Sequence, residues 1–361
     1  MNDELRLVFW ELTARCNLKC CHCRAEAQAT AAEGEFSTRE ILSTARAIRD
    51  TADPILILTG GEPLVRKDFL EIAAACARLF TRVALATNGT LIDDDAARAI
   101  VACGIRRVSI SLDGASAATH DAFRGVPGSF DRALCGYDAL LGAGASLQVN
   151  VTLTWRNLGE IDDLLRLAVD RRADAFHVFV LVPVGCGASL DEGSRLRPAE
   201  TEVFLQWLFS KSAEYQGRLH IKATCAPQYY RIMRPAGRPR TPAEDSAGRD
   251  APRAASDAAR HGVHALTRGC LAGSAVCFVS RTGDVQPCGY LPLPVGNVRE
   301  QPFGDIWRGA PIFAALRDEA RLGGKCGACG YRALCGGCRA RAFAATGDFL
   351  GEDPDCAHVV K

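Results

Sequence analysis

The sequence lacks the features that would direct it to nucleic acid, to a membrane or out of the cell. Its 43 Lys and Arg residues stand against 42 Asp and Glu residues, which leaves a net charge of +1. This balance gives no electrostatic reason to expect nucleic acid or an anionic membrane as partner. No apolar run approaches the roughly 20 residues of a membrane-spanning helix. Asp3 and Glu4 stand where a secretory signal carries positive charge, so we expect no export and a cytoplasmic location.

Composition also argues against disorder and against a disulfide framework. With 48% apolar and 24% charged residues in 361, the chain can bury one large core or two smaller ones. What it has in unusual number is cysteine, 17 in all. An odd number in a long chain without an export signal argues against disulfides, so metal binding or redox chemistry is the favoured interpretation.

Short apolar runs alternate with longer helical patterns over the first half of the chain. Such runs predict a parallel sheet covered by crossover helices, and Ser37 with Glu40 forms a capping-box pattern ahead of the first helix. Six strand–helix units are too few for a closed barrel of eight, so we predict an α/β fold with a partial (β/α)6 barrel. The runs lie at residues 5–12, 55–59, 82–87, 107–112, 147–154 and 176–183.

Changes in composition and periodicity along the sequence divide the chain into three regions. We predict the partial barrel over residues 1–197, a bridging segment over 198–265 and a small cysteine-rich domain over 266–361. Residues 235–262 are rich in Pro, Ala, Gly and charge, so we expect a mobile surface loop that buries too little surface to offset its ordering entropy. In the last region cysteines are dense and periodicity fades, which predicts a domain held together by something other than a hydrophobic core.

A CxxxCxxC motif, formed by Cys16, Cys20 and Cys23, directly follows the first predicted strand. Three thiolates on one short loop can ligate three irons of a 4Fe–4S cluster and leave the fourth iron open. A zinc site is the alternative from the motif alone, with Cys21 or His22 as a further ligand.

Motifs at four successive strand ends give the sequence a family resemblance. The cysteine motif follows the first strand, Thr59–Pro63 (TGGEP) ends the second, Thr87–Gly89 follows the third and Ser111–Gly114 follows the fourth. Ligands of parallel α/β folds bind at these strand ends. In this order the motifs resemble the radical S-adenosylmethionine (radical SAM) superfamily. The resemblance implies that S-adenosylmethionine binds the open iron and yields a 5′-deoxyadenosyl radical, which abstracts hydrogen from a substrate.

The same resemblance implies a set of cofactor-binding residues. Gly60 and Gly61 let backbone carbonyls approach the methionine amino group, and Glu62 belongs to the same motif. Ser111 and Asn150 are candidates for polar contacts to the cofactor, with strand-end capping as the alternative.

The C-terminal cysteines resemble the SPASM extension of radical SAM enzymes, which carries auxiliary 4Fe–4S clusters. The resemblance implies one or two such clusters, while a pair of structural zinc ions is the alternative. The spacing between Cys335 and Cys338 is Cx2C where the family usually has Cx3C, which puts their division between clusters in question. Following the family, one cluster takes Cys270, Cys277, Cys288 and Cys338, and the other takes Cys326, Cys329, Cys335 and Cys356.

Several short stretches resemble the tetrapyrrole-modifying branch of the superfamily, and most of all the enzymes that decarboxylate Fe-coproporphyrin III to haem b. They include residues 179–187, 222–231, 268–273 and 286–292. The resemblance implies a tetrapyrrole substrate, conversion of two propionates to vinyl groups, and an electron donor of flavodoxin or ferredoxin type. A flat macrocycle with carboxylates suits aromatic and cationic side chains, so the candidate substrate residues are Tyr229, Tyr230, Arg231 and His177.

Three other functions remain open at this stage. A related tetrapyrrole enzyme, a didecarboxysiroheme deacetylase or one of dioxo-haem synthesis, fits the same stretches. A peptide-modifying radical SAM/SPASM maturase usually carries a peptide-binding domain before the first motif, whereas 15 residues precede Cys16 here. A zinc-stabilised scaffold without catalysis would be colourless and contain no iron.

Overall fold

The structure is a computed structural model and describes residues 4–233 and 268–360. The expected mobile loop at residues 235–262 lies outside these residues. The strands in chain order are β1 Leu7–Glu11, β2 Ile55–Thr59, β3 Val83–Thr87, β4 Arg107–Ser111, β5 Ser146–Leu153, β6 Ala175–Val180, β7 His220–Thr224, β8 Val276–Val279, β9 Asp284–Gln286 and β10 Gly296–Asn297.

Within the described residues the helices surround this sheet. They are α1 Thr38–Thr51, α2 Phe69–Leu79, α3 Asp94–Ala102, α4 Ala117–Arg124, α5 Ser129–Gly142, α6 Ile161–Asp170, α7 Pro198–Glu214, α8 Gln228–Met233, α9 Phe303–Gly309, α10 Pro311–Arg317, α11 Gly324–Ala328 and α12 Arg339–Thr346. Short 3-10 turns lie at Pro63–Val65, Leu158–Glu160, Gly185–Ser189, Glu192–Ser194 and Glu319–Arg321. No helix in the described part of the chain is both long and apolar enough to cross a membrane.

All strands of the described residues join one sheet, in the order β10-β9-β8-β1-β2-β3-β4-β5-β6-β7. β1 to β6 each pair in parallel with the next strand in the chain, which confirms the six predicted strands and the α/β barrel fold. Two parallel strands were not predicted: β7 follows α7, and β8 pairs with β1 from the C-terminal region. β9 and β10 continue the sheet in antiparallel pairing.

The sheet buries one face fully and the other only in part. Along β5, buried and half-buried side chains alternate over the whole strand, because successive side chains of a strand point to opposite faces. The buried set, including Val149 and Val178, joins a large core between sheet and helices. The half-buried set, including Asn150 and His177, lies on what we call the inner face.

Local signals in the sequence account for the helix that follows the first cysteine motif. The predicted capping box of α1 is confirmed: the Glu40 amide donates to Ser37 Oγ over 3.3 Å, and the Ser37 amide donates to Glu40 Oε2 over 2.9 Å. Ile41, Ala45 and Ile48 then recur at helical spacing and fill the large core.

Candidate functional site

The loop after β1 gathers the thiols of Cys16, Cys20 and Cys23. Backbone amides donate to two of them, Leu18 N to Cys16 Sγ and Ala27 N to Cys23 Sγ, each over 3.4 Å. The pKa of Cys16 is raised to about 11. Burial is the largest cause, and the charges of Glu62, Cys20 and Cys23 contribute to the increase. Amide hydrogen bonds to sulfur are typical of thiolates that bind iron–sulfur clusters.

A buried group of charged side chains supports this loop, and the sequence did not predict it. Asp113 Oδ2 forms an ion pair with Arg124 Nη2 over 2.7 Å and lies 3.2 Å from His22 Nε2. Arg124 Nη1 also lies 3.6 Å from Cys20 Sγ. Burial lowers the pKa of His22 to about 4, so the ring is neutral at pH 7. Asp113 stood in a recognised motif, but Arg124 reaches it only through the packing of α4, which no local pattern shows.

Glu62 joins the second and third motifs. Its carboxylate is fully buried and accepts from the Thr87 hydroxyl over 2.9 Å, from the Asn88 amide over 2.8 Å and from the Leu64 amide over 3.1 Å. Both oxygens are therefore occupied by the protein. Glu62 holds the backbone of Asn88, whose Nδ2 lies 3.8 Å from Cys16 Sγ; contact of Glu62 with the cofactor stays a prediction.

Gly60 and Gly61 pack against backbone at the entrance to the cysteine loop. A Cβ on Gly61 would stand 2.2 Å from the Arg15 carbonyl oxygen, and one on Gly60 would stand 2.7 Å from that of Thr13. The Gly61 amide donates to the Thr13 carbonyl over 2.8 Å. Glycine is thus required here by close approach of the chain leading to Cys16; contact with a cofactor stays a prediction.

The inner face carries a row of polar residues. Ser111, Asn150, His177 and Lys222 are paired in register, one on each strand from β4 to β7. Gln148 Nε2 donates to Asn150 Oδ1 over 2.7 Å and lies 3.0 Å from His177 Nδ1. His177 Nε2 is buried and has no hydrogen-bond partner among the described residues. The structure therefore brings three predicted residues together and leaves a polar atom available to a ligand.

The other three candidate substrate residues lie elsewhere, on α8. Tyr229 is buried in the large core, and Tyr230 is half-buried beside it. Arg231 pairs with Glu202 and lines a cavity formed by C-terminal cysteines. The structure does not bring these residues to the inner face, because α8 begins after the chain has left β7.

One set of C-terminal cysteines lines a single cavity. Amides donate to two of its sulfurs, Tyr331 N to Cys329 and Asp353 N to Cys326, each over 3.4 Å. Arg231, Lys325 and Arg332 also line the cavity, and such positive charge suits an anionic cluster. The four cysteines are those predicted as one set: Cys326, Cys329, Cys335 and Cys356.

The other predicted set is brought together only in part. Cys288 and Cys338 pack on one small apolar cluster, and burial raises the pKa of Cys288 to about 12, with further increases from Cys270 and Cys338. Cys277 is not with them, since its side chain is buried in the large core on β8. Cys225, which is not part of the predicted set, packs with Cys288 and Cys338 instead.

Two glycines divide the CxxC pair of Cys335 and Cys338 between the two sets. Gly336 and Gly337 have φ of 70° and 61°, in the left-handed region that favours glycine. The chain turns there, so that Cys335 lines the cavity while Cys338 packs with Cys288. The short Cx2C spacing is therefore compatible with two separate sites.

The thiols fit clusters better than single zinc ions. In residues 4–233 and 268–360, no three Cys, His, Asp or Glu side chains converge as the ligands of one metal ion. Zinc needs its ligands around one point, whereas each thiolate of a 4Fe–4S cluster binds its own iron. The sulfur hydrogen bonds and surrounding cations are those that a cluster requires.

Comparison with known proteins agrees with this geometry. Residues 10–168 match the model of the radical SAM superfamily, and residues 270–330 match SPASM, an iron–sulfur cluster-binding domain. The chain is 46% identical to the AdoMet-dependent heme synthase of Methanosarcina barkeri, over 99% of this chain and 98% of that protein. It is 43% identical to the AdoMet-dependent heme synthase of Nitratidesulfovibrio vulgaris, over 98% of this chain and 92% of that protein.

Solved structures show the same fold. Streptococcus suis SuiB bound to S-adenosylmethionine superposes with a TM-score of 0.76 at 17% identity, over 99% of this chain and 78% of that one. The enzyme anSMEcpe with bound AdoMet superposes with a TM-score of 0.68 at 18% identity, over 98% of this chain and 94% of that one. Family models, full-length relatives and fold together show that the chain belongs to the radical SAM superfamily and is an enzyme that uses S-adenosylmethionine and a 4Fe–4S cluster, with auxiliary iron–sulfur clusters in a SPASM domain.

Proposed function

We propose that this enzyme catalyses the last step of a haem biosynthesis route, the oxidative decarboxylation of two propionates of Fe-coproporphyrin III to vinyl groups, which yields haem b. The observation that carries the proposal is the 46% identity over almost both full lengths to a protein named AdoMet-dependent heme synthase. A second protein of Methanosarcina barkeri, which is 30% identical to this chain, is named Fe-coproporphyrin III synthase. The two names together support Fe-coproporphyrin III as a metabolite on which a heme synthase can act.

The proposed reaction balances when an acceptor takes up one electron for each propionate that is decarboxylated. With S-adenosylmethionine and its cluster bound, the radical chemistry they supply removes one hydrogen atom from the β-carbon of a propionate. Loss of CO2 then breaks the bond between the α-carbon and the carboxylate, forms the vinyl double bond and leaves one electron. An auxiliary cluster held by Cys326, Cys329, Cys335 and Cys356 would supply a one-electron acceptor within the same chain. Each propionate consumes one S-adenosylmethionine.

The inner face supports a carboxylate-bearing substrate. Lys222 supplies a cation in the polar row, next to His177 with its unpaired Nε2. We therefore keep His177 in the substrate site and add Lys222, which can bind a propionate as a point charge. This proposal does not include Tyr229, Tyr230 and Arg231 in the substrate site. Tyr229 is buried in the large core, and Arg231 is already paired with Glu202 beside the cysteine cavity.

The proposal includes a cellular setting. Thiolate-bound clusters need a reducing compartment, so we place the enzyme in the cytoplasm with a flavodoxin- or ferredoxin-type electron donor. The tetrapyrrole is its small-molecule partner.

The test is anaerobic incubation of the reconstituted enzyme with S-adenosylmethionine, a reductant and iron coproporphyrin III. We expect haem b by mass spectrometry, with about two molecules of 5′-deoxyadenosine per haem. Release of 5′-deoxyadenosine without any change in the porphyrin would refute the substrate assignment. Lys222→Met keeps the length of the side chain and removes its charge, so we expect KM for the porphyrin to rise about tenfold while 5′-deoxyadenosine release without porphyrin is unchanged.

Related enzymes define the other outcomes of this test. A pre-heme d1 synthase of Dinoroseobacter shibae is 35% identical and a mycofactocin maturase of Mycobacterium ulcerans is 32% identical, both over almost the whole chain. A product that keeps all propionates but loses another substituent would favour a different tetrapyrrole reaction. The lower identity to the maturase makes a peptide substrate the weaker candidate.

A further inference from the structure

We propose that Cys225, and not Cys277, is the fourth thiolate ligand of the auxiliary cluster held by Cys270, Cys288 and Cys338. Cys225 directly follows β7, at the strand end where parallel sheets gather their functional groups. Its side chain packs with Cys288 and Cys338 on the cluster of Val182, Leu291, Leu316 and Ala340. The ligand therefore comes from outside the segment that matches the SPASM model, residues 270–330.

One buried ion pair holds the backbone of both Cys225 and Cys338. Arg341 Nη2 donates to the Cys225 carbonyl oxygen over 2.8 Å, and Asp353 Oδ2 accepts from the Cys338 amide over 2.7 Å. Arg341 and Asp353 pair with each other over 3.4 Å, and both are almost fully buried. Because a buried pair of this kind tolerates little movement, the two cysteines are held in a fixed relation.

A close contact brings the Cys270 segment to the same place. A Cβ on Gly269 would stand 2.7 Å from Pro227 Cβ, so the residue before Cys270 packs tightly on the second residue after Cys225. Cys270 itself is anchored by its amide, which donates to the Cys335 carbonyl over 3.1 Å. All four thiols are thus delivered to one region by three separate parts of the chain.

The backbone and charges at Cys225 indicate a site built for a ligand. Its φ is 57°, in the left-handed region that is unfavourable for a residue with a side chain. The thiol of Cys225 has those of Cys338, Cys288 and Cys270 as its electrostatic neighbours, and this is the proximity that four ligands of one cluster need.

Cys277 has none of these features. It is paired in register with Val8, so its side chain shares the core-facing side of the sheet. A thiol on this face of the sheet packs as a small apolar residue.

Iron and sulfide analysis with EPR spectroscopy of the anaerobically reconstituted enzyme tests the proposal. Three full clusters correspond to about 12 irons per chain. Cys225→Gly suits the left-handed backbone, so it removes the thiol without adding strain. We expect this variant to lose up to about four irons, or to change the EPR signal of one auxiliary cluster, while Cys277→Ala matches the wild type in both.

A nearly isosteric variant separates ligation from packing. Cys225→Ser places an oxygen where the sulfur was, so a ligand role predicts a shifted EPR signal or reduction potential, whereas a packing role predicts the wild-type signal. Wild-type iron and EPR in Cys225→Gly, a wild-type signal in Cys225→Ser, or equal losses in Cys225→Gly and Cys277→Ala would each overturn the proposal. None of these measurements uses a porphyrin, so the outcome is independent of the proposed substrate.

Discussion

At the scale of single residues, the carboxylate of Asp113 connects the radical-generating loop to the inner face of the sheet. It accepts the Thr152 amide from β5 over 2.8 Å and pairs with Arg124, which also contacts Cys20. Burial would raise the pKa of Asp113, but Arg124 and His22 outweigh it and hold that pKa below its usual value. Asp113 therefore stays ionised at neutral pH and balances the buried guanidinium.

Asp113→Asn should destabilise the protein strongly. It leaves the charge of Arg124 buried without its partner, and removal of one member of a buried pair typically costs about 3 to 5 kcal/mol. Anaerobic urea denaturation followed by circular dichroism measures this change. The matched control is Asp95→Asn, whose pair with Arg98 is exposed, and it should leave the midpoint unchanged. Equal midpoints for both variants would contradict the role assigned to Asp113.

Cys20→Ala should abolish cleavage of S-adenosylmethionine and leave the auxiliary clusters in place. The three thiols of the first loop are separate from both C-terminal sets, so we expect loss of about four irons of about 12. Cys21→Ala is the control, because it removes the neighbouring thiol, which is not one of the three cysteines of the CxxxCxxC motif. Iron analysis and chromatography of 5′-deoxyadenosine read out both variants. Loss of all iron in Cys20→Ala would show that the sites depend on one another.

At the scale of elements, the sequence was sufficient to predict the first six strands and insufficient for the others. β1 to β6 have strong apolar signals, and crossover helices lie between them. β7 carries His220 and Lys222 in five residues, which weakens its signal. The pairing of β8 with β1 joins residues about 270 positions apart, and no local pattern encodes it. For the same reason, the family resemblance assigns Cys277 to a cluster without showing that its side chain is buried in the large core on β8.

The contact between the end of β2 and the loop after β1 makes its own prediction. Gly61→Ala would place a methyl group 2.2 Å from the Arg15 carbonyl oxygen, so backbone must move. We expect loss of first-cluster iron and of S-adenosylmethionine cleavage, measured on the reconstituted protein. In Gly142→Ala, the added methyl meets nothing within 4 Å, so iron should be retained and stability should rise by up to about 1 kcal/mol. Full activity in Gly61→Ala would show that this contact does not position Cys16.

At the scale of the whole molecule, the described residues contain two apolar clusters of very different size. The large core extends from β1 to the helices α9 and α10 and includes most buried side chains. The second contains Val182, Leu291, Leu316, Cys338 and Ala340, with several half-buried neighbours. So small a cluster cannot offset the ordering entropy of the region around it. The expectation that something other than a hydrophobic core stabilises residues 266–361 stays a prediction. It can apply only to the part of this region outside the large core, where the iron–sulfur clusters are the available source of stability.

Removal of iron should therefore loosen one part of the molecule and spare the other. After anaerobic chelation, we expect amide hydrogen exchange to accelerate at least about tenfold over residues 323–356. Amides of β2 to β6 should keep their protection, because the large core holds them. β8 is the informative element: it belongs to the C-terminal region but pairs with β1, so it should exchange as slowly as the barrel. Cys20→Ala provides the control, since loss of the first cluster alone should leave residues 323–356 protected. Uniform acceleration through β2 to β6 would mean that the clusters stabilise the whole chain as one unit.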